Sequence, residues 1–333
     1  MAFRLQNLPY LAFKEVLSTI DLREKFLIAT LSKKSASLVK RCVFLKKYIL
    51  TVEYSKHWDL EVDRSYYSPQ IEKEESYSSE ECRKEGVSFD KTLLETLELI
   101  IDVFNKPRIC LDTGDPLESY FSFLPFLERL EMKVNTLHFV CETHEMQNLL
   151  EKCKEVQNID IHIRSSEIVD YNKQAKYHFE EARFLFGGEK WVLHKDLLIS
   201  SLDCKRVLMT CPLFTGIFLP ASQELQERSH IGLVEILKSW ISGSRMEFLF
   251  IGSFPLAYFN FRTVFEELGQ VVPIKQATYP KRYGGWETIY FHDNCFMIEQ
   301  NETGRKAHVF VVHEMSDFYT LLLRMAPENF ELA

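Results

Sequence analysis

Residues 93–111 read LLETLELIIDVFNKPRICL, and this stretch decides the class of fold. Leu93, Leu97, Ile100, Ile101 and Phe104 share one helical face. A short apolar run around Ile109–Leu111 follows, of strand length. Helix then strand recurs downstream. Further apolar runs lie at Leu137–Phe139, Ile159–Ile163, Arg183–Phe186, Val207–Met209 and Phe248–Phe250. Their separations are roughly 20–30 residues, with one interval near 40, which is the range of a one-strand, one-helix repeat unit.

Parallel strands joined by helices do not make an antiparallel sandwich. The expected class is α/β, with an irregular leucine-rich-repeat-like α/β domain as the main part. The clean LxxLxLxxN signature is absent, and Asn158-Ile159-Asp160-Ile161-His162-Ile163 shows only the alternation of a strand. A compact α/β or α+β domain is the alternative. Past Glu287 the pattern changes. Thr288–Phe291, Cys295–Glu299 and His308–His313 read as strands linked by turns at Asp293-Asn294 and Thr303-Gly304, a meander that would cap the repeat.

Upstream, residues 3–41 read FRLQNLPYLAFKEVLSTIDLREKFLIATLSKKSASLVKR. Asn7 can cap a first helix with Pro9 in its opening turn, and Phe13, Val16, Leu17 and Ile20 follow on one face. Asp21 and Glu24 have capping-box spacing for a second helix bearing Phe26, Leu27, Ile28 and Leu31. Ser32 or Ser35 can cap a third, with Leu38, Val39, Cys42 and Val43 as its stripe. Phe3, Leu5, Leu8 and Leu11 are more apolar side chains than so small a bundle can hide. The excess suits either a partner or the rest of the chain. The organisation expected is a helical module over 1–48, a strand plus acidic linker or long loop over 49–90, and a larger domain over 91–333.

The opening Phe-x-Leu, Leu8-Pro9, Val16-Leu17, Leu31-Ser32-Lys33-Lys34 and Leu38-Val39-Lys40 resemble an F-box. In particular they resemble the F-box of the nematode-type proteins that carry an F-box associated domain of type 2. Ser200-Ser201-Leu202-Asp203-Cys204-Lys205-Arg206 resembles a hallmark stretch of that second domain. Leu237-Lys238-Ser239-Trp240-Ile241-Ser242-Gly243 and a strand over Met246–Ile251 follow in the family's order. The matches touch residues 3–45 and about 190–255; the polar segment after residue 55 is longer than the family suggests, and 212–228 does not match.

The resemblance implies a substrate receptor of an SCF-type cullin–RING ubiquitin ligase, with no catalysis and no cofactor of its own. Phe3, Leu5, Leu8, Pro9, Leu17, Ile28, Leu31 and Val39 would bind a Skp-type adaptor, and through it a cullin scaffold. The C-terminal domain would hold an unknown target protein. A non-ligase interaction scaffold is the first alternative, and a nucleic-acid binder using the basic N-terminus is the second.

Composition bounds the rest. The chain has 333 residues, 46% of them hydrophobic, and 26 Phe, as in a packed globular protein. Its eight cysteines form no dense framework, which fits a reduced intracellular compartment, cytoplasmic or nuclear. Neither a signal peptide nor a membrane span is expected, because Met246–Phe259, the most apolar stretch, is broken and short. Net charge is −8, yet residues 1–50 carry ten Lys or Arg against three Asp or Glu. Residues 51–100 reverse this, with six against thirteen. The basic module lacks an aromatic stacking platform, which argues against nucleic acid. An acidic adaptor is the better complement, and such charge speeds docking.

Enzyme motifs are weak throughout. Cys141-x-x-His144 and His292-x-x-Cys295 are pairs, whereas structural zinc takes four converging ligands. Gly187-Gly188-Glu189-Lys190 lacks phosphate-loop spacing, and Gly284-Gly285-Trp286 reads as a turn. Target-facing candidates beside the strands are His138, Asp160, His162 and Arg206.

Overall fold

The computed structural model describes residues 8–20, 22–43, 48–54, 58–64, 76–78, 91–113, 117–164, 174–187, 192–210, 222–255, 261–269, 271–280, 286–290, 295–313 and 318–326. It is a mixed α/β protein of two compact units, residues 1–139 and 140–333.

The first unit opens with helices α1 (Tyr10–Thr19), α2 (Leu22–Thr30) and α3 (Lys33–Val43). Pro9 takes the N-cap position of α1, two residues later than the Asn7 cap the sequence suggests, with φ −55° and ψ 146°. Its carbonyl accepts the Phe13 N–H at 2.9 Å, so the ring precedes the helix and costs it no hydrogen bond. Asn7 and Asp21, the other proposed caps, lie outside the described residues. Ser32 caps α3, accepting from the Ser35 N–H at 3.1 Å.

Strands β1 (Tyr48–Tyr54), β2 (Trp58–Arg64) and β3 (Ser76–Ser78) follow. Thus the acidic segment expected as a linker contributes two strands. Trp58, Leu60 and Val62 alternate with Asp59, Glu61 and Asp63, which is strand periodicity beneath a high charge density. Then come α4 (Lys91–Val103), β4 (Arg108–Thr113), α5 (Leu117–Arg129) and β5 (Val134–Cys141), the last crossing the division between units.

The strand order in this unit is β5-β4-β1-β2-β3. β1, β4 and β5 run parallel, and β1-β2-β3 are antiparallel. Leu50, Val52, Ile109, Leu111 and Leu137 are buried, and the Tyr48 ring meets Phe104 edge-on at 5.0 Å. Both α4 and α5 end through left-handed residues, Asn105 and Lys106 after one and Glu131 after the other. The Lys106 and Met132 N–H groups reach back to Ile101 and Leu127 carbonyls at 2.9 Å, closing each helix before its strand.

The second unit holds α6 (Thr143–Lys152), β6 (Asn158–Ile163), β7 (Glu181–Phe186), α7 (Lys195–Ser200), β8 (Arg206–Thr210), α8 (Gln223–Ser242), β9 (Phe248–Pro255) and α9 (Phe261–Leu268). β10 (Val272–Pro273), β11 (Gln276–Pro280), β12 (Trp286–Tyr290), β13 (Cys295–Glu299), β14 (Lys306–His313) and β15 (Phe318–Met325) complete it. β6, β7, β8 and β9 lie parallel in chain order. β15, β14, β13 and β10 then extend the sheet antiparallel from β9, while β11 and β12 form a separate hairpin.

Period-2 burial defines the core side. Ile159, Ile161, Ile163, Ala182, Phe184, Phe186, Val207, Met209, Leu249 and Ile251 are all buried. Leu197, Leu198, Leu233, Val234, Ile236, Leu237 and Trp240 are among the buried residues of α7 and α8.

Gly187 ends β7 where only glycine fits. Its N–H donates to Ile163 O at 2.6 Å, and a Cβ there would lie 2.9 Å from the Arg164 carbonyl. The obstacle is backbone, so it cannot rotate away. Gly187→Ala is expected to cost about 1–3 kcal/mol, the range for forced overpacking, read as a lowered denaturant midpoint. An unchanged midpoint would show that the ends of β6 and β7 part freely.

Candidate docking surfaces

The three N-terminal helices divide their apolar residues between inside and outside. Phe13, Leu17, Phe26, Ala29 and Val39 are buried. α2 and α3 also pack on α4, and Lys40 Nζ pairs with Asp102 there. Outside stand Leu11, 72% exposed, Leu31 at 71%, Leu27 at 51% and Tyr10 at 46%. Leu27 lies on α2, and Leu31 follows in the turn that ends it, its N–H donating to Ile28 O at 3.3 Å. Lys33 and Lys34 follow directly and are exposed. This arrangement can take a partner that offers apolar pockets beside negative charge.

The residues expected to bind an adaptor separate accordingly. Pro9 and Leu31 are exposed, and Leu8 and Ile28 are half-buried. Leu17 and Val39, at 2% and 0% exposure, are internal, so the folded module presents neither to a partner. Their apolar character serves the module's own core. Phe3 and Leu5 lie outside the described residues. Tyr10 is not singled out by the sequence, Leu11 is marked there only as apolar surface in excess of what the bundle can hide, and Leu27 is read as part of the helical stripe. The signal available for Leu11 is its phase, since it falls off the Phe13–Leu17 face.

A second surface is the face of β6–β9 opposite the core. Asp160 and His162 on β6, Leu185 on β7, Leu208 and Thr210 on β8, and Phe248 and Phe250 on β9 are half-buried there, and Arg183 and Arg206 are exposed. Arg183 pairs with Glu181 at 2.5 Å and reaches Asp160 at 4.0 Å. Arg206 pairs with Glu181 at 3.3 Å, and its guanidinium carbon sits 5.3 Å from the centroid of the Phe248 ring. Of the target-facing candidates, Asp160 and Arg206 are thus linked through Arg183 and Glu181, and His162 shares their face. His138 stands in the first unit, beside Asp112 of β4. The charges neutralise one another locally, with the Glu181 carboxylate half-buried and shared by the two arginines.

The stretch Ser200–Arg206 forms a joint. Ser200 and Ser201 hydroxyls donate to the carbonyls of Asp196 at 2.9 Å and Leu197 at 2.8 Å, closing α7. The Cys204 thiol donates to Tyr177 O at 3.4 Å, and burial pushes it up to about 12. The Leu202 carbonyl accepts from the Ser244 hydroxyl at 2.6 Å and the Met246 N–H at 3.2 Å, tying α7 to the end of α8.

Cys141 and Cys295 are likewise pushed up to about 12, burial being the main cause for each. A thiol that ionises so late is a poor nucleophile or metal ligand at neutral pH. His144 is exposed, and His292 and Gly188–Lys190 lie outside the described residues. Among the described residues no three His, Cys, Asp or Glu side chains converge as a metal site. No helix among them is long and apolar enough to cross a membrane.

His194 is buried with its ring stacked on Phe186, centroids 3.9 Å apart. Burial, then the Arg228 charge, lowers its imidazole to about 3. An unfolded histidine titrates near 6.5. The unfolded chain therefore takes up a proton as pH falls through 6.5, while the folded chain does not until about 3. Stability is lost across that window as pH falls. Between pH 7 and 5 this one group should remove roughly 2 kcal/mol. Denaturant unfolding at both values tests it: His194→Phe, which keeps a ring against Phe186, should lose about that much less. Equal losses in the two proteins would refute the assignment.

No family model matches the chain, and no curated protein or solved structure matches it either.

Proposed function

We propose that this chain is a non-catalytic substrate receptor of an SCF-type cullin–RING ubiquitin ligase. Its helices α1–α3 act as an F-box-type plug for a Skp-type adaptor, which in turn binds the cullin scaffold. The second unit, read as an irregular leucine-rich-repeat-like domain, holds a target protein. Its contribution to ubiquitin transfer is proximity, which turns an encounter into a local event. The reading places the chain inside the cell, in cytoplasm or nucleus.

One observation carries this proposal: Leu11, Leu27 and Leu31 stand in solvent on a small helical module that already has a core. That much exposed leucine on one small module supports a docking role, and the neighbouring Lys33 and Lys34 suit an acidic partner. The leucine-rich-repeat-like reading is supported by β6, β7, β8 and β9 following one another in chain order, all parallel.

The test is reconstitution. The intact chain, mixed with a purified Skp-type adaptor, should elute as a complex on size-exclusion chromatography. Changing Leu8→Ala and Pro9→Ala together should abolish co-elution while the circular dichroism spectrum stays unchanged. Absence of a complex with the unaltered chain would reject the ligase assignment and leave a scaffold without a ligase link.

A further inference from the structure

We draw no further inference here: the strongest candidate, the half-buried strip of Leu185, Leu208, Phe248 and Phe250 on the face of β7–β9 opposite the core, carries nothing because its charged neighbours are already paired with one another and nothing in the structure shows what covers it.

Discussion

Replacing Leu27→Ala and Leu31→Ala together is expected to weaken capture of a Skp-type adaptor by on the order of a hundredfold, without moving the melting temperature. The two halves of that result have separate causes. Both side chains are more than half exposed, so folding gains little from them. Surface substitutions of this kind usually change stability by within about 0.5 kcal/mol. A docked partner would bury them in the centre of an interface, where truncating an anchor costs about 2 kcal/mol or more. Two neighbouring anchors need not add, and about 3 kcal/mol already corresponds to roughly a hundredfold.

Leu17→Ala supplies the contrast. That side chain is internal, and its loss should cost about 2–5 kcal/mol of folding. Binding would then fall only as the module unfolds, and would follow the melting curve. Titration of adaptor against each variant, beside a thermal melt, separates the two behaviours. Full capture by the folded double variant would remove α2 from the docking surface.

The contrast also shows what was legible in the sequence. Periodicity located the helices, because in-phase residues such as Phe13, Leu17, Leu97 and Ile100 fill a core. The same periodicity cannot mark a docking surface. An in-phase leucine reads alike whether it meets its own chain or another, so Leu17 and Val39 were expected in an interface and stand inside. The residues left in solvent include the out-of-phase Leu11.

Strands with local alternation were equally readable. β1 at Tyr48–Tyr54 and β13 at Cys295–Glu299 fall where the pattern puts them. β2 was hidden by its acidic partners. β15 was hidden differently: Phe318–Met325 contains the run Leu321-Leu322-Leu323, which carries no period. Its pairing with β9 joins segments far apart in the chain, and no local pattern encodes that. The charged ladder of Asp160, Arg183, Glu181 and Arg206 required the register of three strands before its members could be seen as neighbours.

The largest effect on folding is expected from Trp240→Ala, which should remove about 3–5 kcal/mol from the second unit. A protein of ordinary stability has only about 5–15 kcal/mol in total. The indole is fully buried, and its Nε1–H donates to Met246 O at 3.1 Å. Its backbone carbonyl accepts from the Gly243 N–H at 3.2 Å and from Gln300 Nε2 at 3.2 Å. Gln300 also donates to Ser244 O at 2.9 Å and accepts from the Thr303 hydroxyl at 2.6 Å. Arg305 Nη1 donates to the same Ser244 carbonyl at 2.9 Å. The ring therefore fills the space around which the end of α8 and the β13–β14 turn are bonded together.

Alanine would leave a cavity and an orphaned Met246 carbonyl. Trp240→Phe would restore much of the volume without the donor, so it should cost less, about 1–3 kcal/mol for the unsatisfied group. Urea unfolding of the three proteins should give midpoints in the order wild type, phenylalanine, alanine. An alanine variant within about 1 kcal/mol of wild type would mean that the cavity collapses and the joint tolerates it.

Leucines exposed for a proposed partner are also free to draw copies of the chain together. The strand ends answer part of that problem. In the second unit the outermost strand, β10, pairs over only Val272 and Pro273 with β13, and proline has no N–H to offer. In the first unit the outermost strand, β3, has three residues. Edges this short cannot serve as templates for strand addition by a neighbour. Strand addition at these two edges is thereby disfavoured. Among the described residues the most exposed leucines, Leu11, Leu27 and Leu31, belong to the helical module and not to those edge strands.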